Sequence, residues 1–248
     1  MKIGILGTGN IGKTLVTKLS LAGHDVKVAN SRGPETIDTS ILHHGARAVT
    51  SAEAVKDVDV VIMSTPFAAI PDIAPLMAAL PENVVVIDTS NYYPARDGKI
   101  DAIESGMVES VWVAAQLGRP IAKAWNAIVS ASFAEKGAPA GATGRIAIPV
   151  AADGDRERDV ALRLVDETGL DAVYSGTLAE SWRQQPGAPC YCTDLSREEM
   201  PKALASAERE RLPKRRDLAL EASMERMGDI TTNPDSDYAV RLSRVLFM

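Results

Sequence analysis

Residues 2–15 read KIGILGTGNIGKTL. The run KIGIL at 2–6 is short and apolar, as a strand buried on both faces of a parallel sheet must be. GTGNIG follows at 7–12, and beyond it Ile11, Leu15, Val16, Leu19 and Leu21 recur at helical spacing. Gly23-His24 closes that helix, and DVKVA at 25–29 restarts a strand. Residues 1–31 therefore predict one β-α-β unit. A glycine pattern alone is common; one that follows a strand and opens a helix is a dinucleotide fingerprint. Gly7 permits the tight turn, Gly9 lets a diphosphate approach bare backbone, and Gly12 lets helix and strand pack closely. The helix start offers unpaired N–H groups and partial positive charge. Gly7, Thr8, Gly9, Asn10, Ile11 and Gly12 are the expected diphosphate cradle.

The end of the second strand decides which nucleotide fits. An NAD site carries an acidic residue there, roughly 20 residues beyond the glycines, to bind the ribose hydroxyls. Here the place holds Asn30, Ser31 and Arg32, with no carboxylate before Glu35. A carboxylate would repel a 2′-phosphate, whereas a serine hydroxyl can donate to it and a guanidinium can clamp it with a planar fork. The expected cofactor is NADP(H).

Outward from this unit the alternation continues. Strands are predicted at 46–49, 58–64, 83–88 and 121–124. Helices fall at 51–57, 67–80 (broken by prolines), 98–106 and 111–116. A second β-α-β unit follows, with a strand at 145–151, a helix at 155–168 and a strand restarting at 171–174, reached through the flexible loop 137–144. The fold class is α/β: a doubly wound parallel Rossmann sheet extended by this second unit. Residues 1–176 form the expected NADP-binding domain. Residues 177–248 change character, with charged helical patterns at 196–211 and 214–228, a loop at 231–237 and a helix-compatible stretch at 238–248. This segment contributes to the acceptor site, to dimerisation, or to both. Leu212, Leu218, Leu220, Met224 and Met227 make a homodimer plausible, although the same stripe would serve an intramolecular core.

The 248 residues are 46% hydrophobic and 24% charged, too apolar for a disordered chain. A net charge of −6 argues against nucleic acid as a partner. The local basic cluster Arg209, Arg211, Lys214, Arg215 and Arg216 reads as a solvated helix face. No apolar run reaches membrane-spanning length, and Met1-Lys2 leads straight into a strand without a signal peptide. Cys190 and Cys192 are badly spaced for a disulfide. These features point to the cytoplasm. His24 and the pair His43-His44 lack a third ligand, so no metal site is expected.

The opening KIGILGTGNIGKTL, the NSR turn at 30–32, STPFAAI at 64–70, IDTSN at 87–91, KAWNAI at 123–128 and IPVAADGDRERDVALRLVDETGLDAVYSGTLAES at 148–181 together resemble the deazaflavin (coenzyme F-420) dependent NADP reductases. The resemblance spans about the first 190 residues of the chain; the tail beyond about residue 195 has no match in the compact deazaflavin enzymes. It implies an often dimeric enzyme that exchanges hydride between NADPH and a deazaflavin, with relatives that pass it to flavin. It also implies that Thr65, Pro66 and Phe67 flank the ribose and nicotinamide, and that Asn91 and Asn126 lie just past the next two strands, where Asn126 can bond the carboxamide or the acceptor.

Two rings positioned for hydride transfer need orientation more than a side-chain acid or base, and no catalytic constellation stands out. Trp182 and Tyr191 can stack on a planar acceptor and Arg183 can hold an anionic group; the other reading of residues 181–191 is an anchor for the tail. A deazaflavin or flavin is thus the first acceptor class. The second is a small carbonyl or imine, for which Tyr191, Tyr92 or Tyr93 would donate a proton. The third reading is a non-catalytic NADPH sensor whose tail binds a partner protein.

Overall fold

The computed structural model describes residues 1–229, 232 and 234–248. Eight strands form one sheet: β1 (Lys2–Leu6), β2 (Asp25–Ala29), β3 (Arg47–Ala48), β4 (Val60–Met63), β5 (Val85–Asp88), β6 (Ala122–Lys123), β7 (Ala147–Ala152) and β8 (Asp171–Gly176). Their spatial order is β3-β2-β1-β4-β5-β6-β7-β8. The first six run parallel, and β4 and β5 are buried along their whole length. That burial is why VVIM and VVID read as unbroken apolar runs rather than alternating ones. Helix Asn10–Leu21 seals one face through Leu15, Val16 and Leu19. Helices Ile70–Ala78 and Glu109–Leu117 pack on the other.

β7 pairs with β6 antiparallel and with β8 parallel. The second β-α-β unit does extend the sheet, as its sequence suggested, but with reversed direction. The reversal is made by a short helix, Ser130–Glu135, and the glycine-rich loop after it. Consequently only the strands up to β6 direct their carboxyl ends to the nucleotide edge, where ligands of doubly wound sheets collect.

Some expected elements change shape. The stretch 67–80 is not broken at its prolines: a 3-10 turn, Phe67–Ala69, leads into helix Ile70–Ala78, which accepts one proline in its first turn and continues through Pro75. The first-turn proline loses nothing, because that N–H has no helical acceptor. The pattern at 196–211 yields only helix Met200–Ala205 and the 3-10 turn Arg209–Arg211. Residues 181–191 include the end of a 3-10 helix, Leu178–Gln184, whose start is closed by a Thr177–Glu180 capping box.

The tail ends in helices Leu212–Met227 and Ser236–Phe247, which pack on each other. Of the loop expected at 231–237, Thr231 and Asn233 lie outside the described residues, and Ser236 already belongs to the last helix. A small core of Cys190, Leu195, Met200, Leu212 and Phe247 ties the tail to the sheet edge, and Arg244 reinforces it by donating to the carbonyls of Thr193 (2.8 Å) and Asp194 (3.1 Å).

Candidate functional site

Each fingerprint glycine has a distinct local constraint. Gly7 has φ +108°, and a Cβ there would strike the Ser64 carbonyl; a Cβ on Gly12 would strike the Gly7 carbonyl. Both are demanded by the fold. Gly9 is different: a Cβ there would meet nothing, so its bareness leaves space beside the start of helix Asn10–Leu21, whose first turn holds no acidic residue. That is the room and the field a diphosphate needs. Gly9→Ala should therefore leave the melting temperature of the unliganded protein unchanged while weakening NADPH binding about tenfold. Calorimetry together with a melting curve checks both halves, and a large stability loss would mean that Gly9 serves the fold instead.

At the end of β2, Asn30 shapes the turn. Its Oδ1 accepts the Arg32 N–H at 2.9 Å, and its Nδ2 donates to Thr36 Oγ1 (2.9 Å) and, more weakly, to Thr8 Oγ1 (3.5 Å). Ser31 and Arg32 are exposed. Glu35, the nearest carboxylate in sequence, folds against Gly33. The turn is thus linked to the glycine loop, with a hydroxyl and a guanidinium facing outward.

A cavity of about 450 Å³ opens at the same sheet edge. Its floor is Gly9, Asn10 and Ile11, its sides are the loops after β4, β5 and β6, and its roof is the two C-terminal helices, through Leu220, Met224, Leu242 and Phe247 among others. Thr65 and Pro66 line it; Phe67 does not. Phe67 is fully buried and stacks on Trp112 at 5.0 Å between ring centres, because the 3-10 turn after Pro66 points it into the core. Two hydroxyls in the lining, Thr65 Oγ1 and Ser90 Oγ, are buried without a hydrogen-bond partner. Buried polar atoms are rarely left so, and here they offer a ligand two contacts.

Asn91 and Asn126 border the cavity but are committed to each other. Asn91 Nδ2 donates to the Asn126 carbonyl (2.8 Å), while Asn126 Nδ2 donates to Asn91 Oδ1 (3.1 Å) and to the Gln184 carbonyl (2.8 Å). Gln184 Nε2 returns a bond to Asn126 Oδ1 at 2.9 Å. With both amide hydrogens used by protein acceptors, Asn126 has none for a carboxamide. It clamps the β5 and β6 loops to helix Leu178–Gln184.

Beneath these loops lies a buried charge cluster that no local sequence pattern announces. Lys123 donates to Asp88 Oδ2 at 2.7 Å and to the Ser90 carbonyl, and both charged side chains are essentially inaccessible. Asp88 Oδ1 accepts the Ser90 N–H (3.0 Å). The fully buried Glu109 accepts the Tyr92 N–H (3.1 Å); burial raises its carboxyl above the ordinary range, and the Lys123 ammonium opposes that rise. The cluster holds the Ser90–Asn91 turn against the cavity wall. KAWN and IDTSN contain Lys123 and Asp88, but no spacing rule pairs a lysine with an aspartate 35 positions away.

The tyrosines separate in three dimensions. Tyr92 is buried, with its hydroxyl donating to Glu104 (3.0 Å). Tyr93 and Tyr191 both line the cavity, and their hydroxyls lie 3.0 Å apart. Burial holds both phenols well above the usual tyrosine value. Trp182 and Arg183 do not reach the cavity: Arg183 stacks on Trp182 at 4.3 Å, with Arg209 near the same ring at 5.9 Å. The 3-10 helix turns this pair toward the tail, so they sit as its anchor. Conversely, Arg216 is not on a solvated face. It is 8% exposed and lines the cavity, as does Arg96. Nothing in the cluster Arg209–Arg216 separates Arg216 from its neighbours without knowledge of which way helix Leu212–Met227 docks.

A mostly parallel Rossmann sheet with a bare glycine cradle and a cavity at the carboxyl edge defines an NAD(P)-dependent oxidoreductase. A model of the family described as NADP oxidoreductase, coenzyme F420-dependent, matches residues 2–92. The chain belongs to this family. It is 42% identical over 101 residues to YjhV of Escherichia coli (strain K12), a match covering 39% of this chain and 70% of that protein. The crystal structure of SMa0349, a hypothetical protein from Sinorhizobium meliloti, superposes with a TM-score of 0.66 at 26% identity, covering 79% of this chain and 95% of that one. An Arthrobacter sp. FB24 protein, provisionally designated an F420-dependent NADP reductase, gives a TM-score of 0.57 at 21% identity over 73% of this chain and 87% of its own, which supports the fold.

Proposed function

We propose that this chain is an NADP(H)-dependent reductase that passes hydride to an organic acceptor lodged under the C-terminal helices. The observation that carries the reading is the continuity of one sheet edge: the bare backbone at Gly9 opens into the same cavity that Thr65, Ser90 and Tyr191 line. Bound along that edge, the cofactor supplies the hydride. The residues of the chain do the rest. Gly7 to Gly12 receive the diphosphate, Ser31 and Arg32 receive the 2′-phosphate, and Thr65, Pro66 and Ser90 border the nicotinamide. The roof helices shield part of the transfer site from water.

Family membership favours a deazaflavin or flavin as acceptor. A specific feature favours the second class, a small carbonyl or imine: the helices of the same chain cover part of the cavity, and Tyr93 and Tyr191, whose hydroxyls are paired, belong to its lining. Leu218, Val245 and Met248 remain exposed on the tail, and a homodimer through that surface belongs to the same proposal; light scattering would test it. The main experiment is calorimetry with NADPH and NADH, followed by NADPH oxidation in the presence of an oxidised deazaflavin, a flavin or simple carbonyl compounds. Tighter binding of NADPH and bleaching with one acceptor class are expected. No uptake of NADPH would overturn the reading, and tight uptake without turnover of any acceptor would move it to a sensor.

A further inference from the structure

Three features of the cavity wall lie outside the nucleotide path. The first is Arg216, which enters from the roof helix Leu212–Met227. It is 8% exposed; its Nε donates to Asp217 Oδ1 at 2.8 Å, and its guanidinium stands 5.6 Å from the Tyr92 ring centre. Its two terminal nitrogens donate to no acceptor among the described residues. The guanidinium is paired with Asp217 through Nε and acts electrostatically on the buried Glu109, but its two terminal nitrogens are uncommitted, a fork that suits a carboxylate held in the cavity it lines. The second is the Tyr191–Tyr93 hydroxyl pair. The third is Arg96, whose guanidinium lies 5.4 Å from the Tyr93 ring centre while bonded to Asp97, so a cation stands next to the phenols.

We propose that the acceptor is a small carbonyl compound bearing a carboxylate, which Arg216 anchors by its carboxylate and Tyr191, backed by Tyr93, protonates at its carbonyl oxygen. The proposal rests on the nucleotide reading above and deepens its second acceptor class. In the step, the carbonyl carbon gains a C–H bond from hydride and the C=O π pair moves to oxygen. That oxygen takes the Tyr191 hydroxyl proton, Tyr191 is reprotonated from Tyr93, and Tyr93 from water. NADPH is oxidised and the carbonyl is reduced to an alcohol. Burial holds both phenols protonated and makes them weaker acids, so donation depends on the hydroxyl pair and the cation beside it. The nearby Arg96 guanidinium stabilises the transient phenolate.

The test uses the full chain and two matched probe pairs, acetaldehyde with glyoxylate and butanal with succinate semialdehyde. In each pair the carboxylate member should be preferred about 100-fold in kcat/KM, because a buried, forked ion pair is made with it alone. Arg216→Met should collapse that preference to within about threefold, with Arg216→Lys intermediate, since it keeps the charge and loses the fork. Glycolate should raise the melting temperature of the NADP-saturated wild-type protein but not that of Arg216→Met. Tyr191→Phe should lower kcat about 100-fold or more with KM and glycolate binding retained. Tyr93→Phe should lower kcat by less, also at constant KM.

Equal use of charged and neutral probes would overturn the proposal. So would a preference that survives in a folded Arg216 variant, full kcat in Tyr191→Phe, or bleaching with deazaflavin while no probe is reduced and glycolate fails to stabilise. In each of those cases NADPH still binds, which separates them from failure of the nucleotide reading itself.

Discussion

Lys123→Met should lower the melting temperature by on the order of 10 °C, the loss expected when about 3–5 kcal/mol disappears from a chain of this size. Methionine fills similar volume, so the cost is not a cavity. It is the Asp88 carboxylate, wholly inaccessible and left without the ammonium 2.7 Å away. The Ser90 carbonyl loses its donor as well, and the turn that presents Ser90 to the cavity should loosen, so NADPH affinity should fall in step. The double variant Lys123→Met with Asp88→Asn should recover more than half of the lost stability. The asparagine removes the orphaned charge yet keeps an oxygen for the Ser90 N–H.

The deficit should also depend on pH, through Glu109. Burial already raises its carboxyl, against the pull of Lys123. A carboxyl whose folded value lies above the unfolded one contributes stability below the ordinary carboxylate range and loses it as pH rises through the folded value. Without Lys123 that rise is opposed only by the Gln185 side chain, the Tyr92 N–H and Arg216, so the gap between variant and wild type should widen from acid toward neutral pH. Melting curves across that range are decisive: a pH-independent gap, or no gap, would show that the cluster does not share charge as described.

Arg32→Ala is the second large effect, and it acts on ligand affinity. NADPH should bind about 10- to 100-fold more weakly, the value of one or two charge-assisted hydrogen bonds to a phosphate, while NADH affinity stays within about twofold. Arg32 is exposed, so salt should weaken NADPH binding in the wild type and do so less in the variant. Asn30, by accepting the Arg32 N–H and donating to Thr36, holds the turn ready, and Asn30→Ala should reproduce part of the loss. Calorimetry at two ionic strengths measures all of this. Equal losses for NADPH and NADH would remove the 2′-phosphate account.

In residues 177–248 linear information runs out. Gly228 stops helix Leu212–Met227 in the left-handed conformation, and the helix was visible from its charge pattern. Its docking face was not. Leu212 joins the small core and Leu220 and Met224 roof the cavity, while Leu218 remains 42% exposed, yet all share the same periodic stripe. Arg216 and Arg209 come from one basic cluster, but the first enters the site and the second bonds the Gly106 carbonyl on the surface. Trp182 and Arg183 had the right chemistry for an acceptor site and the wrong direction, because the capping box at Thr177–Glu180 starts a 3-10 helix that rotates them away.

By itself, the order of residues determined the nucleotide half: the strand, the three glycines, the helix and the Asn30-Ser31-Arg32 turn are contiguous, so their geometry follows from local steric rules and hydrogen bonding. It determined the sheet as well, since parallel buried strands must be apolar throughout. Only the tertiary structure decided the rest: the reversal at β7, the pairing of Lys123 with Asp88, the meeting of Tyr93 with Tyr191 and the roof that brings Arg216 inward. Each of these joins segments far apart in the chain, and such contacts depend on how whole faces pack, which no local pattern encodes.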